Sequence, residues 1–133
     1  MIYLDSCAAI KLLIPEPESA ALLEWLAARD SEVIMSSGLI TVEIHRALHR
    51  IAADTPLHDQ AEQLLKGIYK RPVDAVLAQA AALLGQHLRS LDAIHLATAL
   101  SADVPPTFVT YDDRLAQDAD QAGLTVTAPG GAP

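Results

Sequence analysis

The chain has a single cysteine, Cys7, among 133 residues. It can form neither an internal disulfide nor a cysteine-based zinc site, and a reducing compartment is expected. Long apolar runs are missing too. The longest, about Ala75 to Leu84, falls well short of the roughly 20 residues that span a bilayer. The opening MIYLDS has no basic n-region and places an acid at its fifth position, so no secretory leader is read there. Positive charge is scarce: 9 Lys and Arg stand against 17 Asp and Glu, for a net charge of −8 and a pI near 4.8. That balance excludes a protein that holds nucleic acid by blanket phosphate neutralisation. It leaves room for an enzyme whose acids gather at one metal site beside a local basic rim. No internal repeat and no dividing linker is present. With 51 % apolar residues, the chain can build one sizeable core but not two ordinary domains. The expectation is one soluble, cytoplasmic domain over residues 1–128, with a flexible tail at 129–133 and no membrane contact.

What is present is alternation. MIYLD, residues 1–5, reads as a short buried strand ending at Asp5, and SCAAIKLLI after it has helical composition until Pro15 and Pro17 intervene. A helix is expected over about 18–29 and a strand over 32–36. The next helix, about 40–51, has apolar residues at 40, 44, 47, 48 and 51. Beyond Pro56, the spacing of Ala61, Leu64, Leu65 and Ile68 predicts a helix over 58–69, forming a helical hairpin outside the sheet. A weak strand is expected at 73–77, running into an alanine-rich helix to about Leu88. Ser90 reads as the N-cap of the next helix, SLDAIHLATAL. TFVTY, 107–111, is a buried strand, DDRLAQDADQAG an exposed helix stopped by Gly123, and LTVT a last strand. The pattern implies an α/β fold of three layers, α/β/α, around a mostly parallel sheet of four to five strands.

In such sheets the working crevice lies beyond the carboxyl ends of the strands, where the strand order reverses. Asp5, Glu43, Asp92 and Asp112 all fall at that edge. Two unit charges about 4 Å apart repel by roughly 4 kcal/mol at an effective dielectric near 20. Several such pairs would weigh heavily on a domain stable by only about 5–15 kcal/mol. Protons or a divalent cation must offset them, and an all-oxygen set suits Mg2+ or Mn2+. The helix dipole at the start of SLDAIHLATAL helps keep Asp92 ionised beside such an ion.

Four segments, MIYLDSCAAIKLLIPE, TVEIHRALHR, LRSLDAIHLATAL and FVTYDDRL, stand in an order and at separations that resemble the PIN-domain ribonucleases, in particular the VapC-type toxins of bacterial toxin–antitoxin pairs. The resemblance runs from about residue 1 to 127. It implies a PIN-like fold, Mg2+- or Mn2+-dependent cleavage of RNA that leaves a 5′-phosphate, a VapB-like antitoxin partner and a homodimer. It places the family's acidic quartet on Asp5, Glu43, Asp92 and Asp112. Asp5 and Asp92 take the main ligand roles, Asp112 the rim of the same or a second ion, and Glu43 a water-mediated ligand or base role. Ser6 and Thr110 are candidates for orienting carboxylates or ligated water. Two departures stand out: Cys7 where these toxins often have serine, and consecutive acids at Asp112 and Asp113. The T-x-D pattern from Thr110 favours Asp112 as the acid that faces the metal.

Among the basic residues, Arg46 and Arg50 lie one and two turns beyond Glu43 and are candidates for RNA phosphates, with Lys11 and Arg114 as an opposite bank. Arginine takes two phosphate oxygens at once, which favours Arg46. His45 and His49 are four apart but lack the rest of a zincin pattern; His95 reads as a hydrogen-bonded core histidine, and Trp25 as packing or a partner contact. Two other functions compete. A phosphoacceptor receiver domain needs paired acids before the end of its first strand and a lysine after its fifth, yet MIYL precedes Asp5 and no lysine follows Lys70. A non-catalytic interaction module on the same fold is the other alternative, although it has no use for four mutually repelling acids.

Overall fold

Short runs of bulky and β-branched residues set the frame. In the computed structural model, which describes residues 1–131, the strands are β1 (Ile2–Leu4), β2 (Ile34–Ser37), β3 (Tyr69–Arg71), β4 (Thr107–Val109) and β5 (Thr125–Thr127). They form one sheet in the order β3-β2-β1-β4-β5, and every neighbouring pair is parallel. The helices are α1 (Ser6–Ile10), α2 (Ser19–Ala27), α3 (Leu39–Arg50), α4 (Thr55–Lys66), α5 (Leu77–Ala82), α6 (Ser90–Leu100) and α7 (Asp113–Gln121). The expected three-layer α/β/α architecture with a parallel sheet is what is found.

Alternation along β1 divides the core. Ile2 and Leu4 point to one face with Ala8, Leu22 and Val109. Tyr3 points to the other with Met35, Leu96, Phe108 and Leu115. Tyr3 and Phe108 are register partners, and their rings stack with centroids 4.9 Å apart. The α3–α4 hairpin closes a third cluster through Ile40, Ile44, Leu48, Ala61 and Leu65. Helix α6 is apolar nearly all round because it is covered on two sides: Leu96 and Ala99 meet the sheet-face cluster, and Ala97 meets Val76 and Ala80.

Some expectations shift. The third strand lies at Tyr69–Arg71, not at 73–77, where Val73–Val76 forms a 3-10 turn. Pro56 does not precede its helix but sits in the first turn of α4, which Asp54 caps through the Leu57 N–H at 3.1 Å. A proline, which has no N–H, is tolerated there because a first-turn N–H would have no intrahelical partner. The hairpin is thus the crossover from β2 to β3. Helix α5 ends at Ala82, well before Leu88. Ser90 is the first helical residue of α6; the cap position belongs to Arg89, which makes no side-chain capping bond. The end of α7 follows expectation: Gly123 (φ 95°) takes the left-handed conformation, and Leu124 N–H reaches Ala119 C=O at 3.1 Å, closing a Schellman turn. The first residues of the expected loose tail are tied down, since Tyr111 O–H donates to Pro129 C=O at 2.7 Å. Residues 132 and 133 of that tail lie outside the described residues.

Candidate active site

The chain crosses from β1 to β2 on one side and later returns to place β4 on the other, so the strand order reverses between β1 and β4. The residues just beyond those two strands are Asp5 and Thr110 to Asp112. Asp5 doubles as the N-cap of α1, its Oδ1 accepting the Ala8 N–H at 2.9 Å. Its remaining donors are side chains. The Cys7 thiol lies 3.0 Å from Oδ1 and 3.2 Å from Oδ2, and the Thr110 hydroxyl donates to Oδ2. Asp5 is only 4 % exposed. Burial pushes its carboxyl above the usual range, against the opposing pull of Thr110, Cys7 and the Ala8 amide. Burial and the Asp5 charge likewise push the Cys7 thiol up to about 12. Cys7 is therefore a protonated donor at neutral pH, not a thiolate.

Thr110 joins two acids. While its hydroxyl donates to Asp5, its oxygen accepts the Asp112 N–H at 3.1 Å. Asp112 caps α7 with one oxygen, Oδ1 taking Arg114 N–H at 2.9 Å and Leu115 N–H at 3.1 Å. Asp92 enters from the first turn of α6. Partial burial is the main cause that raises its carboxyl, the negative charge of Asp112 comes next, and Asp5 adds to it; His95 and Arg89 act in the opposite direction. Asp92 thus feels the negative charge of Asp112 and of Asp5, which come from two other elements. Asp113 faces a different groove, with Lys11 and Tyr111.

Glu43 stands one step aside and is held by both oxygens. His95 Nε2 lies 2.6 Å from Oε1, and Ser6 Oγ donates to Oε2 at 3.3 Å. The other nitrogen of the buried His95, Nδ1, is 2.6 Å from the Tyr3 hydroxyl. Burial drives Tyr3 far above its normal ionisation range, so its hydroxyl stays protonated and can donate to Nδ1. His95 then carries its proton on Nε2, pointed at Glu43. Ser6 holds Glu43, and Thr110 holds Asp5.

The basic candidates separate. Arg46 and Arg50 line a groove with Ser6 and Glu43. Lys11 is not a free cation: it pairs with Glu16 at 2.5 Å and Glu18 at 3.0 Å and lies over the Tyr111 ring. Arg114 lines a separate depression with His87 and Asp118, so no bank opposite Arg46 is formed by this pair. His45 turns from the acids toward the hairpin, 2.8 Å from His58 and 2.6 Å from Glu62.

Sequence reasoning missed the engagement of Cys7 with Asp5 and of His95 with Glu43. The latter had a faint signal, since His95 lies one turn after Asp92 on the same helix. Among the described residues, no three Asp, Glu, His or Cys side chains stand together so that they could hold a metal ion. Mg2+ does not need such a trio, because it keeps several waters and binds through one or two carboxylates plus substrate phosphate. The acids offer hard oxygens, and like charge adds to burial in raising Asp92. Both properties suit a hard divalent cation.

Residues 2–120 match the family model described as PIN domain. The chain is similar to "Ribonuclease VapC35" of Mycobacterium tuberculosis, at 41 % identity over 98 % of both chains. It is also similar to "Ribonuclease VapC47" of that organism, at 39 % over 98 % of both, and to "Ribonuclease VapC46", at 42 % over 96 % of this chain and 97 % of the relative. Together, the parallel β3-β2-β1-β4-β5 sheet, the match over nearly its whole length and these relatives establish that the chain belongs to the PIN-domain family and is of the VapC type.

Proposed function

We propose that the chain is an Mg2+- or Mn2+-dependent endoribonuclease, the toxin of a cytoplasmic toxin–antitoxin pair, acting as a homodimer and restrained by a VapB-like antitoxin. The observation that carries this reading is that the charges of Asp112 and Asp5, beside the reversal of strand order, raise Asp92, in a chain whose relatives are named ribonucleases. No helix among the described residues is long and apolar enough to cross a membrane.

Asp5 and Asp92 would be the chief cation ligands and Asp112 the rim ligand. When bound, the cation supplies a water that is nucleophilic near neutral pH and counter-charge for the leaving 3′ oxygen, so that cleavage leaves a 5′-phosphate. The protein's own part is to hold these groups still. Thr110 sets the Asp5 carboxylate and the Asp112 backbone against each other, and Cys7 donates to the same carboxylate. Glu43, with a donor on each oxygen, is better suited to orienting a water than to taking its proton. Arg46 sits on the same helix, one turn along, to receive a substrate phosphate.

Single-turnover cleavage of structured RNAs with added Mn2+ tests the reading. Wild-type protein should cut, whereas Asp5→Asn and Asp92→Asn should not. Equal cutting by all three would trace the activity to a contaminant and remove the support. Expression without a partner should arrest growth; harmless expression would contradict the toxin role.

A further inference from the structure

Helix α6 carries Asp92 near its start, and a cavity of about 280 Å³ lies at its other end. Asp92 and Ser101 are nine residues apart, a rise of about 14 Å, so this pocket is distinct from the acid site. It opens between edge strand β3 and the turn that follows α6. Tyr69 and Arg71 alternate with Lys70 and so share one face of β3. Tyr69 is in register with Met35, which belongs to the cluster that packs against α6. Met1, Met35 and Val104 give the pocket apolar walls, Tyr69 adds a ring that is 53 % exposed, and Arg71 and Asp103 supply charge of both signs.

Those charges have no partners in the fold. Arg71 and Asp103 line the same pocket, yet neither joins the ion pairs found among the described residues, in which the cations are Met1, Lys11, His45 and His95. The Arg71 Nε–H is buried and finds no acceptor among the described residues. Such orphaned donors are uncommon, and a charged one is costly to leave unmatched. Arg71 does not serve as the cap of α6 either. Ser101 does that, its hydroxyl donating to Thr98 C=O at 2.7 Å and its N–H to Ala97 C=O at 3.0 Å.

We propose that this pocket binds a free apolar α-amino acid of about the size of leucine or phenylalanine. Its carboxylate meets Arg71, its ammonium meets Asp103, and its side chain lies against Met1, Met35, Val104 and the Tyr69 ring. A guanidinium can take a carboxylate with two parallel hydrogen bonds, Nε–H and one Nη–H, which would supply the acceptor that Arg71 Nε lacks. Opposite charges that line one pocket without pairing match a ligand that carries both. A nucleotide is a poorer match, because its phosphate brings up to about two negative charges to a pocket whose unpaired arginine already faces an acid, in a chain of net charge −8. The volume, below the roughly 300–1,000 Å³ of sites for drug-sized ligands, suits so small a body. None of these residues belongs to the acid site, so the assignment stands apart from the ribonuclease reading.

Isothermal titration calorimetry of the full chain tests the proposal, with L-leucine and L-phenylalanine as probes. Each is compared with its amide, which lacks the carboxylate, with its desamino acid, which lacks the ammonium, and with adenosine 5′-monophosphate. At least one amino acid should bind saturably. Its amide should bind at least about tenfold more weakly and its desamino acid about threefold more weakly. Arg71→Ala should weaken the amino acid about tenfold to hundredfold, as expected for a lost hydrogen bond to a charged group. Asp103→Asn, at an exposed position, should weaken it about threefold and leave the desamino acid unchanged. Circular dichroism checks that the variants fold; if Arg71→Ala does not, the ligand series and Asp103→Asn decide the matter. Three results would overturn the proposal: no saturable heat from either amino acid at millimolar concentration, tighter binding of the nucleotide than of both, or an amino-acid affinity that removal of the ligand's carboxylate leaves intact.

Discussion

Replacing Thr110 with valine removes one hydroxyl and almost no volume, so the change isolates the link between Asp5 and Asp112. Thr110 is 1 % exposed, and its oxygen donates to one acid and accepts from the backbone of the other. A buried hydrogen bond to a charged acceptor contributes about 1.5–3 kcal/mol. The Asp112 amide that loses its partner lies on an exposed residue and can turn to water, which adds little. A loss of about 2–3 kcal/mol at neutral pH follows, or roughly 6–12 °C in Tm for a domain of this size. The pH dependence separates this from a general packing defect. Thr110 lowers the Asp5 carboxyl relative to what burial alone would set, so the wild type gains over the variant where Asp5 is ionised and loses that gain as pH falls through the folded Asp5 value. Thermal unfolding of both proteins, followed by circular dichroism in EDTA across acidic to neutral pH, should show the gap closing on acidification. A gap that is absent, or constant with pH, would refute a charge-assisted Thr110–Asp5 bond.

Other perturbations have separate expected outcomes. Asp92→Asn should stabilise the metal-free protein at neutral pH while abolishing cleavage. Asp92 is raised by burial and then by Asp112 and Asp5, so its ionisation costs stability as pH climbs from about 4 through its folded value; an advantage over wild type that does not shrink toward pH 4 in the same unfolding assay would contradict this. His95→Ala leaves Glu43 and Tyr3 without their shared partner and should cost about 3 kcal/mol by denaturant unfolding and roughly 10–100-fold in cleavage. Tyr3→Phe removes one bond and should cost only about 1–2 kcal/mol; a larger loss than for His95→Ala would reverse this ordering. Gly123→Ala meets nothing within 4 Å, so its expected cost of about 1 kcal/mol is purely that of the left-handed backbone, and an unchanged urea midpoint would count against it.

The strands that carry the site could be read from the sequence because each is buried and ends at an acid. β1 alternates across the sheet and terminates before Asp5; β4 stops shortly before Asp112. β3 could not be read in the same way. Its sequence is Tyr-Lys-Arg at the sheet edge, with Tyr69 half exposed, so no apolar period marks it, whereas the apolar residues at 73–77 pack as a turn and the start of α5. Lys11 looked free in the sequence because a turn folds Glu16 and Glu18 back onto it. The pairing of Glu43 with His95 spans 52 residues, and no local pattern encodes which face of α6 will meet α3. Charge placement along the chain is readable where topology fixes it at a strand end; the hydrogen bonds that steady those charges arise only from tertiary packing.

The most direct test is calorimetric titration of metal-free protein with Mn2+, comparing wild type, Asp5→Asn and Asp92→Asn. Crowded carboxylates that share one cation should give saturable binding in the wild type, weakened at least about tenfold by either substitution. Equal affinity in all three proteins, or no binding by the wild type, would show that these acids do not hold a metal ion.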